Sequence, residues 1–403
     1  MVLLSTLVVA CSGGGSSSSS SSASVCGPPQ VGTAVPNPTA NTIARTGHTA
    51  TLLPNDDPNK VVVLTVGGQT VGGISAGADL YHPATSEWSS TGDLNVPRTN
   101  HAATLLATGV LVSGGNDSNG FMDSAEIYDI DKRTWGVAAK MSLPRFNHSA
   151  TRFLKAGNEF VLLVGGQDLN GVPVKSADLY DSTQNSWSPT QDLNIVRSGH
   201  TATLLKSGDV LVVGGWNSTG PIGSVELYDS AKDSWSLKVN LNISRIGHTA
   251  TLLSDNMVFV AGGYNGDGTL SSSELYDVKI DLWTLTGSLG SPRSFHTATL
   301  LPDGSLLVTG GTSLRSELVP AERVTPGVQA TLEWDRVSDP TLLGYKVYYG
   351  TTSKSYQGAA ILDRETKYIF GSLTKGTMYY FAVTSFSGIG ESCSSNEVSK
   401  FIP

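Results

Sequence analysis

One short phrase returns along this chain at nearly even intervals. His-Thr-Ala-Thr-Leu-Leu starts at His48, His200, His248 and His296, with variants at His101 and His148. The successive histidines are 53, 47, 52, 48 and 48 residues apart. A Gly-Gly pair follows each of them, from Gly67-Gly68 to Gly310-Gly311. Five units go on to a tyrosine (Tyr81, Tyr128, Tyr180, Tyr228, Tyr276) and a tryptophan seven residues later (Trp88, Trp135, Trp187, Trp235, Trp283). Self-similarity at such a period means an array of supersecondary units, each too small to bury its own apolar face.

Each unit reads as four short strands. The His-Thr-Ala-Thr-Leu-Leu run is the first, and an apolar run ending in Gly-Gly is the second. The third ends at the tyrosine and the fourth carries the tryptophan. Composition agrees: glycine is 45 of 403 residues and charged residues are 15%. That suits a turn-rich all-β chain and excludes a coiled coil, which needs about half Ala, Glu, Lys, Leu and Arg. Four-stranded units with Gly-Gly, Tyr and Trp in this order resemble kelch repeats. The resemblance implies an all-β, six-bladed β-propeller over residues 27–319. The sixth unit has its first two strands and Ser316-Glu317-Leu318-Val319 as a third, but no tryptophan. The stretch Gln30-Val31-Gly32-Thr33-Ala34-Val35 is expected to supply the missing fourth strand and close the ring, removing an exposed edge.

Charge repeats too. An arginine lies three residues before every repeat histidine: Arg45, Arg98, Arg145, Arg197, Arg245, Arg293. An acid lies two residues before each tyrosine position: Asp79, Glu126, Asp178, Glu226, Glu274 and, in the sixth unit, Glu317. Pairs such as Arg98–Glu126 and Arg197–Glu226 are expected to be framework ion pairs. A reactive site would instead need residues that differ from their counterparts in other units.

Little points to chemistry. No His-x-x-x-His or Cys-x-x-Cys metal spacing occurs, and neither catalytic residues nor a cofactor nor a metal site is expected. Some secreted propellers of this kind, such as galactose oxidase, carry copper beside a Cys–Tyr crosslink, but no cysteine lies in the repeats. Net charge is −8, so no basic field draws nucleic acid. What varies is the loop after Gly-Gly, and binding residues often sit on loops held by a rigid scaffold. Asn116, Phe121, Asp168, Trp216, Tyr264 and Asp267 are the ligand-contacting candidates, for a protein or glycan ligand. The alternative is a carbohydrate-active or oxidative enzyme lacking the copper site. Asn, Asp and Gly also simply form turns.

The ends carry an address and a second domain. Residues 1–11 are apolar and end in Leu-Val-Val-Ala-Cys, which resembles a bacterial lipobox. The resemblance implies lipid on Cys11 and, since Ser12 is not Asp, an outer-membrane destination in the cell envelope. Residues 12–26, rich in Gly and Ser, read as a flexible tether. Residues 320–403 alternate in several runs. Trp334, Leu373 to Tyr379, and Ser395-Asn396-Glu397-Val398 resemble the core tryptophan, tyrosine corner and last strand of fibronectin type III domains, which implies a β-sandwich. Cys26 and Cys393 remain as a possible disulfide in an oxidising compartment.

Overall fold

The computed structural model describes residues 45–402, apart from 56, 58–59, 86, 254–255, 314–318, 327, 374–376 and 389. Among the described residues every regular element is a strand. No helix is long and apolar enough to cross a membrane.

Five units form four-stranded antiparallel sheets in simple sequence order. Blade one is Thr49–Leu53, Val62–Val66, Ala78–His82 and Glu87–Ser90; blade two is Ala102–Leu105, Gly109–Ser113, Ala125–Asp129 and Thr134–Ala138. Blade three is Ser149–Lys155, Asn158–Val164, Ala177–Asp181 and Ser186–Pro189; blade four is Thr201–Leu204, Val210–Val213, Val225–Asp229 and Ser234–Lys238. Blade five is Thr249–Leu252, Met257–Ala261, Ser273–Asp277 and Leu282–Thr286. The first strands of blades one to six touch in succession, so they surround the propeller axis and the fourth strands lie outermost. The second strands are apolar throughout, as in Val210–Val213, because blades pack on both of their faces. The cores are accordingly shared: Leu205, Leu211 and Val213 of blade four pack with Val258, Val260, Tyr276 and Trp283 of blade five.

Tyrosine and tryptophan sit opposite each other on neighbouring strands, with ring centroids 4.7–5.1 Å apart in five blades. Cross-strand aromatic pairs are a unit of sheet stabilisation. The indole N–H then reaches the preceding blade: Trp135 to the Gly92 carbonyl at 2.7 Å, Trp187 to Ala139 at 2.9 Å, Trp235 to Gln191 at 2.7 Å and Trp283 to Val239 at 2.9 Å.

Blade six departs from expectation. Its sheet is Thr297–Leu300, Leu306–Thr309 and Glu322–Val324. The third strand is therefore six residues beyond Ser316-Glu317-Leu318-Val319, and the repeat domain runs past residue 319. The register explains it: Val308 faces Glu322 as Val260 faces Glu274 in blade five. The segment around Val31 expected to close this blade lies outside the described residues.

The C-terminal domain is a sandwich. One sheet orders Gly358–Leu362, Leu342–Gly350, Thr377–Ser387 and Gly390–Glu391, with Val398–Ile402 also on Thr377–Ser387. The other pairs Val328–Glu333 with Lys367–Leu373. Trp334, Tyr345, Val347, Phe370 and Phe381 fill the space between them. Thr286 pairs with Val328, so the sandwich extends the sheet of blade five at its outer edge.

Candidate functional site

The loops that enter the first strands hold the repeated charges. Arg98 donates from Nη2 to Glu126 at 2.9 Å and from Nη1 to the Gly114 and Ser124 carbonyls at 3.0 Å. Glu126 in turn accepts the Asn95 and Val96 amides. Blade four repeats this with Arg197 and Glu226 at 2.8 Å. The other pairs are Arg45–Asp79 at 2.6 Å, Arg145–Asp178 at 2.8 Å and Arg245–Glu274 at 2.9 Å. In blade six the partner of Arg293 is Glu322, at 2.7 Å, not the expected Glu317. From Arg98 to Arg293 the guanidiniums are buried. Burial pushes their pKa down and the facing carboxylate pulls it back, as for Arg98 and Arg197. These charges knit loops to strands and are withdrawn from solvent.

The repeat histidines are likewise spent on the scaffold. Each ring reaches the preceding blade through Nε2: His101 to Thr49 Oγ1 at 2.9 Å, His148 to Ser113 Oγ at 3.2 Å, His200 to Ser149 Oγ at 2.8 Å, His248 to Thr201 Oγ1 at 2.9 Å and His296 to Thr249 Oγ1 at 3.0 Å. Burial, reinforced by the nearby arginine, lowers the pKa of His101, His148 and His248 to about 3. The rings pack on the Gly-Gly pairs. A Cβ at Gly214 would lie 2.7 Å from the Arg245 carbonyl and 2.9 Å from His248, and Gly214 has φ +61°. Only glycine permits both the approach and the conformation. Among the described residues, no group of three His, Cys, Asp or Glu side chains is arranged to hold a metal ion.

What remains accessible is the face carrying the loops after Gly-Gly. On it the residue just before each histidine adopts a left-handed backbone: Gly47, Asn100, Asn147, Gly199, Gly247 and Phe295, with φ from +52° to +64°. Their main chains link across blades, the Asn100 N–H donating to Gly47 at 2.8 Å, Asn147 to Asn100 at 3.2 Å, Gly199 to Asn147 at 3.1 Å and Phe295 to Gly247 at 2.7 Å. This collar encircles the axis at the mouth. Glycine and asparagine tolerate that conformation; a bulky phenylalanine there is an outlier. Phe295 is nonetheless 70% exposed.

Phe295 lies against Gly247, 3.0 Å from where a Cβ would be. Ile246 lies in the same way against Gly199, with Trp216 beside it. Ile246 and Ser198 bridge through their main chains to Tyr264 and Trp216. The result is an apolar arc of Trp216, Ile246, Tyr264 and Phe295 across blades four to six. On the same face Phe121 of blade two stacks on Phe146 of the loop entering blade three, at 4.2 Å. The structure thus brings Trp216 and Tyr264 together and places Phe121 on another blade. The polar candidates are engaged in turns. Asp168 accepts the Val172 and Asn170 amides, the first of which contributes most to holding its carboxyl below the usual range. Asn116 accepts from Asn100 at 3.3 Å. Asp267 sits at a loop tip, its amide donating to Asn265. Sequence reasoning missed Phe146, Ile246 and Phe295, all in the loops before the histidines. Their signal was present: apolar side chains where sister units have Gly, Asn, Ser or Thr.

Comparison with known proteins agrees with this architecture. The Kelch motif model matches residues 97–142 and 197–242, and the fibronectin type III domain model matches residues 319–401. No curated protein matches the chain. A solved structure of YjhT, a kelch-type protein, superposes with a TM-score of 0.56 at 14% identity, covering 70% of this chain and 97% of that one. The chain is an all-β protein in which a propeller bearing Kelch motifs is joined to a fibronectin type III sandwich.

Proposed function

We propose that this chain is a non-enzymatic binding protein that recognises a carbohydrate or polypeptide on the loop face of its propeller. One observation carries the reading: Phe295 holds a left-handed backbone and an exposed ring in an apolar arc with Trp216, Ile246 and Tyr264. Such strain costs on the order of 1–3 kcal/mol and clusters at functional sites. Contiguous apolar surface on a rigid rim marks interaction sites. The arginines and histidines that could do chemistry are buried in ion pairs and blade contacts instead. A glycan and peptide array probed with the fragment from residue 24 onward tests this. Signal lost in the Trp216→Ala, Phe295→Gly double variant supports it. Signal retained by that variant refutes it.

The same proposal places the protein in a bacterial envelope, held to the outer membrane by lipid on Cys11. Cys11 and Cys26 lie outside the described residues; Cys393 is exposed. The Leu-Val-Val-Ala-Cys sequence and the Gly/Ser stretch behind it support this address. Fractionation of Cys11→Ser expressing cells checks it: the variant leaves the membrane fraction, and a variant that stays there rules lipid anchoring out. A Cys26–Cys393 clip is tested by counting thiols in the mature protein; two free thiols exclude it.

A further inference from the structure

Five of the six seams between blades carry one latch, and the sixth does not. In each complete latch the second glycine of Gly-Gly donates to the next blade's arginine carbonyl: Gly68 to Arg98, Gly115 to Arg145, Gly166 to Arg197, Gly215 to Arg245 and Gly263 to Arg293, at 2.8–3.0 Å. The next histidine packs on the first glycine, with a Cβ at Gly67, Gly114, Gly165, Gly214 or Gly262 meeting it at 2.6–3.0 Å. Between blades six and one, a Cβ at Gly310 meets nothing within 4 Å. Thr297, whose counterparts Thr201 and Thr249 bond to histidines, bonds to Thr309 at 2.7 Å. His48 is exposed, whereas the other repeat histidines are buried. Blade six also has three strands where the others have four, and Leu300 and Leu307 are more than a third exposed.

We infer that the residues ahead of Arg45 fill this cleft, with residues 30–35 as the fourth strand of blade six. The occupant is argued from where the described chain begins and from the repeat offsets. Arg45 opens blade one at the unlatched seam, so the preceding chain starts beside it. In blades two to five the carbonyl that accepts the tryptophan indole lies nine residues before the unit's own histidine: Gly92, Ala139, Gln191 and Val239. For Trp88 that offset lands on Thr39. Pro36 and Pro38 have no N–H to give a ladder, so the pairing strand ends at Val35. Within it Val31, Thr33 and Val35 share one face, and aliphatic Val324 occupies the position of the tyrosines on the strand it would join. An exposed sheet edge is a template for such pairing.

Amide hydrogen exchange on the full chain tests the inference. Residues 31–35 are expected to be protected to the level of Leu282–Thr286; free exchange there overturns it. Gly310→Ala gives a second readout. With the seam latched, the new Cβ meets His48 and the melting temperature falls as far as in Gly214→Ala. A clearly smaller fall overturns closure. Protection that comes with a dimer on sizing, in which differently tagged chains mix, overturns the assignment to the chain's own segment in favour of a second copy.

Discussion

At the residue scale the molecule is stabilised by charges it has removed from water. Burying an ion pair costs desolvation that the facing charge and hydrogen bonds must offset, and deleting one partner leaves the other stranded. Arg197 and Glu226 are both fully buried. Arg197→Met alone is expected to lower unfolding free energy by about 3–5 kcal/mol. Arg197→Met with Glu226→Leu should recover a large part of that in a urea titration. A double variant no better than the single would deny the pair its framework role. The histidines make a pH prediction. Their folded pKa lies below the unfolded value of 6.5, so between about pH 6.5 and 3 the unfolded chain binds more protons than the fold. Stability is complete above pH 6.5 and drains away as pH falls, by about 3 kcal/mol per fully buried ring at pH 4.5. Thermal melts at pH 7, 5.5 and 4.5 check this, with His200→Gln expected to flatten the slope. Equal slopes in the two proteins would contradict it.

At the scale of elements, each strand was visible because its apolar alternation and Gly-Gly terminus recur. The one misplaced strand is instructive. Ser316-Glu317-Leu318 copies Ser273-Glu274-Leu275, yet the structure pairs Glu322 instead. Spacing carried the better signal. From the second glycine to the acid is eleven residues in blades one, two, four and five and twelve in blade three. Gly311 to Glu322 is also eleven, while Glu317 is only six away. A third strand must run back from the Gly-Gly end before its acid can meet the arginine, so local likeness yields to chain length. Glu322→Gln is expected to cost about 2 kcal/mol, less than the fully buried pairs because Glu322 is partly exposed. Glu317→Gln should stay within about 0.5 kcal/mol. Chemical denaturation of both variants decides between the two acids; equal losses would remove the distinction.

At the scale of the whole molecule, the collar of left-handed residues decides which side chains reach the mouth. Phe295 occupies a position where its counterparts are Gly or Asn, so Phe295→Gly should relieve strain and raise stability by up to about 1 kcal/mol. The same change is expected to weaken binding on the array by removing an exposed ring from the arc. A variant less stable than the parent would show that the ring stabilises the scaffold and would separate it from ligand contact. The sandwich is placed by a different logic. It adds strands to the outer edge of blade five through Thr286 and Val328, covering one edge that would otherwise be open.

The repeat by itself determined the class of fold, the number of units, the arginine–acid pairs and the spending of the histidines on structure. These follow from local periodicity, which a sequence displays directly and which each unit must satisfy with the same side chains. The loop after Gly-Gly was legible as variable, and Trp216 and Tyr264 were found there. Only the tertiary structure decided that the loops before the histidines share that face, that Ile246 and Phe295 complete the arc, and that the sandwich joins blade five. Those contacts join residues from different blades, whose approach depends on how blades pack around the axis, and no single repeat encodes it.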